Sequence, residues 1–141
     1  MSELEAAVRR RAAQRCEYCL LPQGAFQRFF QIEHIIARQH GGESTFENLA
    51  LSCRLCNLKK GPNLAGIDPT TKRLTPLYHP RIEPWARHFA VLIQPAPVYS
   101  LEIQGITPIG RTTAYVLGFN DELRSTLRYL LNLDSQYPWR R

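Results

Sequence analysis

Leu4, Ala7, Val8 and Ala12 recur at helical spacing, with Arg9, Arg10 and Arg11 lying outside that stripe. This pattern predicts an amphipathic helix with a narrow buried face. Ser2 followed by Glu5 forms a capping box for its start, and the helix is expected to run to about Arg15. From Phe29 to Ile36 the chain is rich in aromatic and β-branched residues, which suit a pleated strand. The run breaks at His40-Gly41-Gly42, where glycine opens backbone conformations closed to other residues. A polar loop, Glu43 to Asn48, leads to a second strand over Leu49–Ser52. Good helix formers then fill Arg54 to Lys60, before Gly61-Pro62 stops them. The predicted order is strand, loop, strand, helix.

Beyond Ile67 the texture changes. Pro69, Pro76, Pro80 and Pro84 punctuate a stretch expected to form a hairpin and surface loops. Trp85, His88 and Phe89 are expected to pack a short helix on the core. Val91–Ile93 and Tyr99–Ile103 read as two further strands. Thr107-Pro108 starts a helix with proline at its first position, and Gly118 ends it. Asn120-Asp121-Glu122 caps a last helix with Leu123, Leu127, Leu130 and Leu131 on one face. Trp139, Arg140 and Arg141 form a tail. The expected division is a core unit over 1–66 and an extension packed on it over 67–141. The fold class is α+β.

At 141 residues, 44% of them hydrophobic, the chain suits one domain and excludes a disordered polymer. No apolar run approaches the roughly 20 residues of a membrane helix. No apolar signal segment follows the acidic start, so a cytoplasmic protein is expected. The net charge of +6 is spread evenly: nine Lys/Arg against six Asp/Glu in residues 1–66, and the same again in 67–141. Such an excess is compatible with a phosphate-bearing partner but does not identify one.

The cysteines say more. All four fall into two Cys-x-x-Cys pairs, Cys16/Cys19 and Cys53/Cys56. Two such knuckles supply the four thiolates of a structural zinc and leave none over. Two disulfides or four buried thiols are the alternatives, and a reducing compartment disfavours the first. Such a site has no open coordination position. Its role would be to pin the first helix to the later one.

Between the knuckles lie Glu33-His34, Gly41-Gly42 and Asn48-Leu49-Ala50-Leu51-Ser52-Cys53-Arg54-Leu55-Cys56-Asn57, followed by Lys60-Gly61. Over residues 16–62 this resembles the HNH endonuclease family. The resemblance implies a zinc-braced ββα-metal core, with a small mixed extension behind it. It implies that His34 activates a water, that Asn48 orients His34 and its loop, and that Glu33 and Asn57 hold a divalent cation. Oxygen ligands suit magnesium or manganese. The sequence departs from the family where Glu33 replaces a more usual aspartate or histidine. Asn57 stands at the second histidine position, and Gly61 where some members carry another ligand.

Arg38, His40, Arg54, Lys59 and Lys60 flank this motif and are candidate phosphate contacts. Arg111, Arg124 and Arg128 could extend that surface, though solvated helix faces are the simpler expectation. His79 and His88 lie outside the motif. No helix-turn-helix or further zinc finger is visible to read bases, so weak sequence specificity is expected unless a dimer or a partner protein supplies it. The expected substrate is DNA, with RNA an alternative. A zinc-braced nucleic-acid-binding module without hydrolysis is the rival reading, and a protein-binding zinc domain a third.

Overall fold

Helix α1 spans Glu3–Arg11, with the Ser2 hydroxyl accepting from the Glu5 amide at 3.1 Å. Val8 and Ala12 are fully buried, as the apolar stripe requires. Arg9, Arg10 and Arg11 fill the last turn, where cations complement the helix dipole. The helix is shorter than the sequence suggested. Ala13 and Gln14 take positive φ values of 53° and 59°, which turn the chain so that Arg15 bridges to Pro22. The Cys16 amide then bonds to the Leu21 carbonyl at 2.9 Å. A continuing helix would have carried the first cysteine pair away from that loop.

In the computed structural model, residues 2–26 and 30–133 are described. The expected tail at Trp139, Arg140 and Arg141 lies outside them, as does Phe29. Strand β1 (Gln31–His34) pairs antiparallel with β2 (Leu49–Ser52), Glu33 opposite Ala50 and His34 opposite Leu49. The first strand was expected to reach Ile36. It stops at His34 because the backbone amides of Ile35 and Ile36 turn to Asn48, bonding its carbonyl at 2.8 Å and its side-chain Oδ1 at 2.9 Å. β2 is buried along its whole length. Helix α2 follows at Arg54–Lys60, with Cys53 as its N-cap.

The second half opens with a hairpin, β3 (Ala65–Ile67) against β4 (Leu74–Pro76), and continues with a longer one, β5 (Phe89–Gln94) against β6 (Ser100–Gly105). Between them Trp85–Arg87 forms one short helical turn. Helix α3 (Pro108–Val116) is capped by the Thr107 hydroxyl, which accepts from the Gly110 amide at 3.0 Å. Helix α4 (Glu122–Leu133) starts where Asp121 Oδ1 accepts from the Arg124 amide at 2.9 Å. Each two-stranded sheet is covered by helices or loops, giving a mixed α/β architecture.

The buried cluster is continuous across the chain. Ala12, Tyr18, Leu21, Ala50 and Leu51 pack with Leu77, Tyr78, Phe89, Ile103 and Phe119. Polar clips cross the same seam: Trp85 Nε1 donates to the Tyr18 carbonyl at 2.8 Å, and Arg81 pairs with the buried carboxylate of Glu17. Among the described residues no helix is long and apolar enough to cross a membrane.

The last helix corrects the sequence reading. Leu123 and Leu130 are 63% and 53% exposed, whereas Arg124 and Arg128 are wholly buried. Their guanidinium groups satisfy backbone carbonyls: Arg128 those of Leu101 and Phe119, Arg124 those of Leu117 and Gly118. Arg111 makes a two-pronged pair with Asp68, at 3.1 and 2.9 Å. These arginines knit the second half together and do not extend a phosphate-facing surface.

Candidate metal centre and active site

The two Cys-x-x-Cys loops converge. The four sulfurs, all buried, lie within 4.8 Å of one another. Cys19 and Cys53 approach to 3.7 Å between sulfurs. A tetrahedral zinc–thiolate site, with bonds of about 2.3 Å, has sulfur–sulfur edges of about 3.8 Å. A disulfide needs about 2.05 Å, and all four cysteines are free. The donor set therefore fits a zinc ion, and no disulfide joins these cysteines. Each knuckle also points a backbone amide at its first sulfur: Cys19 N at Cys16 Sγ and Cys56 N at Cys53 Sγ, both at 3.4 Å. Burial pushes the Cys16 and Cys56 thiols well above their ordinary value. Protons held there would leave as a cation binds.

The second group forms around the end of β1. Adjacent strand residues point to opposite faces, so Glu33 and His34 can share a cavity only where the strand stops. Both line one of about 440 Å³, together with Ala37, Arg38, Asn57, Leu58, Gly61 and Pro62. Glu33 is 7% exposed, and its Oε1 is buried with no hydrogen-bond partner among the described residues. Its Oε2 lies 3.7 Å from Lys60 Nζ. Burial raises the Glu33 carboxyl above its ordinary value, against the opposing pull of Lys60 and Tyr18. The Tyr18 hydroxyl is itself buried without a partner of ordinary geometry. Burial, and then the Glu33 carboxylate, raise that phenol well above its usual range. Asn57 donates through Nδ2 to Gln31 Oε1 at 2.6 Å. A carboxylate and a carboxamide on one cavity bring the kind of oxygen donors a hard divalent cation takes.

His34 is held from the loop side. Its Nε2 lies 2.8 Å from Ser44 Oγ and 3.5 Å from Arg38 Nε, and Arg38 Nη2 donates to Ser44 Oγ at 3.0 Å. A guanidinium only donates, so the imidazole lone pair on Nε2 faces it. Burial and the Arg38 charge lower the His34 pKa below its ordinary value of 6.5. Both effects favour the neutral ring.

The Asn48 amide bonds the loop backbone rather than the His34 ring: Oδ1 accepts from Ile36 N, and Nδ2 donates to the carbonyls of Ile36 and Glu43 at 3.0 and 2.9 Å. It thereby fixes the segment that carries Arg38 and leads to Ser44. Gly42 completes this clamp. A Cβ there would sit 1.7 Å from the Ile36 carbonyl oxygen and 2.9 Å from Asn48 Nδ2. Gly42→Ala is expected to lower stability by about 1–3 kcal/mol through the lost loop bonds, read as a lower urea midpoint at unchanged slope.

The remaining basic candidates separate. Arg38 lines the cavity. His40 and Arg54 are exposed but do not line it. The Lys59 stem lies along Gly118, within 3.0–3.2 Å of where a Cβ would be. Lys60 corrects the expectation of a phosphate contact: it is 2% exposed, and its Nζ donates to the Ile35 carbonyl at 2.9 Å. Ser44 and Tyr18 were not picked out from the sequence and carried no spacing signal. Gln31 had one, since it stands two residues before Glu33 on the same strand.

Residues 16–63 match the model of the HNH endonuclease family. No curated protein and no solved structure matches the chain.

Proposed function

We propose, with the HNH match of residues 16–63 as premise, that the chain is a divalent-metal-dependent endonuclease acting on DNA. One observation carries the reading: Glu33, His34 and Asn57 line a single cavity, which brings a carboxylate, an imidazole and a carboxamide together. The catalytic unit is a ββα-metal core made of β1, β2 and α2, within residues 1–66. Residues 67–141 form an extension packed on it. Zinc in the cage of Cys16, Cys19, Cys53 and Cys56 braces the core and takes no part in the chemistry.

Glu33 and Asn57 would hold magnesium or manganese, which supplies charge neutralisation at the scissile phosphate and its leaving oxygen. The chain's own residues do the rest. His34, kept neutral by burial and Arg38, takes a proton from water as the water attacks phosphorus. Arg38 is exposed, and its 3.5 Å contact to the ring is weak, so a phosphodiester offers it the better partner. Its transfer to the phosphate, with the Ser44 hydroxyl turning away from the ring, would release Nε2 for the water. Asn48 and Gly42 keep the loop in place for that exchange.

One such site nicks one strand, and a double-strand break needs a dimer or two events. The sequence shows no helix-turn-helix or further zinc-finger motif, which supports weak sequence specificity. The non-hydrolytic binding module stays as a second reading, because His34 is bonded to Ser44 and Glu33 faces Lys60. Nicking of supercoiled plasmid with magnesium or manganese, against an EDTA control, separates the two. Binding with no metal-dependent nicking would establish the module. An RNA substrate in parallel decides the nucleic acid.

The pH dependence has a defined sign. His34 acts in its neutral form, so cleavage is full above its lowered pKa and falls as the pH drops through it. Arg38→Ala removes a repelling charge and is expected to move this acid limb to higher pH. The rate profile should be recorded at saturating metal, so that protonation of Glu33 does not contribute. An unmoved limb would show that Arg38 does not tune the imidazole.

A further inference from the structure

We propose that Arg124, from the C-terminal helix, is an outer-shell partner of the zinc site, supplying the positive charge that lets four buried thiolates share one dication. The inference rests on the zinc reading above and deepens it. Arg124 Nη1 donates to Cys56 Sγ at 3.1 Å, and the residue is wholly buried. Its position is fixed from the other side. Nη2 donates to the Leu117 carbonyl at 2.7 Å and to that of Gly118, while Nε donates to Asp121 Oδ2 at 2.5 Å. The group is thus aimed at the sulfur by the end of α3 and the cap of α4, and Arg124 itself lies 68 residues from Cys56 in the chain.

The electrostatics follow from counting. Four thiolates on a dication leave two negative charges, and these sulfurs are 0% exposed. Uncompensated charge in such a place is costly. The two knuckle amides offset part of it as dipoles. Arg124 brings a full positive charge to the cage through its bond to Cys56 Sγ. Arginine suits the position because its planar fork reaches sulfur, carbonyls and carboxylate at once. A lysine has one nitrogen to share among them.

The test is zinc affinity, measured by competition with a chromogenic chelator, for the wild type, Arg124→Lys, Arg124→Met and Arg128→Met. Loss of an outer-shell partner typically lowers metal affinity about 10–100-fold, and Arg124→Met is expected in that range, with Arg124→Lys weakened less. Arg128 is the control: it is equally buried on the same helix but bonds carbonyls and Asn120 rather than sulfur. A cobalt-loaded protein adds a spectroscopic readout. The thiolate-to-metal charge-transfer band should move in Arg124→Lys and stay in Arg128→Met. Should Arg124→Met fail to fold, Arg124→Lys carries the comparison. Equal zinc affinities and an unmoved cobalt band in the Arg124 variants overturn the proposal. A wild type that binds no zinc overturns the zinc reading first, and is told apart by metal analysis of the purified chain.

Discussion

His34→Ala is expected to lower metal-dependent plasmid nicking by about 10²–10⁴-fold, the usual contribution of a general base, while leaving the fold intact. The side chain is only half-buried, and it is hydrogen-bonded to Ser44 and Arg38 on the loop side. The backbone of residue 34 stays in register with Leu49 whatever the side chain. Truncation therefore removes the group that accepts the water's proton without opening the core. The comparison should be made as single-turnover rates at saturating manganese, with a thermal melt of both proteins. A variant that cleaves like the wild type would remove His34 from the mechanism. One that melts well below it would mean the side chain has a structural task.

Cys53→Ala, or removal of zinc by a strong chelator, is expected to do the reverse and abolish the cooperative fold. Structural zinc contributes about 10–16 kcal/mol apparent in small domains, against a total of about 5–15 kcal/mol for a typical domain. Cys53 has several tasks at once. It closes the cage with Cys19, receives the Cys56 amide, and caps α2, which carries Asn57. The measurement is near-ultraviolet circular dichroism and the melting transition before and after chelation. A chelated protein that keeps its transition would show that the cysteines are packing residues only. The two substitutions thus separate chemistry from architecture, since one should lose rate without fold and the other fold before rate.

Much of the site was legible in the sequence, for a physical reason. Ligand spacing is a local property: Cys-x-x-Cys makes a knuckle almost wherever it falls, and Glu33-His34 at a strand end needs only the strand. The short segments β2 and α2 matched their expected bounds because both are bracketed by strong punctuation, Asn48 before and Gly61-Pro62 after. The errors arose where a distant partner decided the outcome. Lys60 reads as a surface cation until the Ile35 carbonyl and Glu33 are placed beside it. Arg124 and Arg128 sit among leucines at helical spacing, and nothing local says that carbonyls of Leu101, Leu117 and Phe119 await them. Ser44 belongs to the same class, since its distance from His34 depends on how Asn48 folds the intervening loop.

The pairing of Glu17 with Arg81 bears on how portable this unit is. Glu17 lies inside the first knuckle, wholly enclosed, with one oxygen on the Leu51 amide at 2.9 Å and the other on a guanidinium contributed by the second half. Stranding one member of an enclosed ion pair typically costs about 3–5 kcal/mol. A graft of residues 16–63 into an unrelated scaffold would carry Glu17 along with the ligands but lose its Arg81 partner. A transplant that replaces Glu17 with glutamine, or brings the Arg81 loop with it, starts without the handicap.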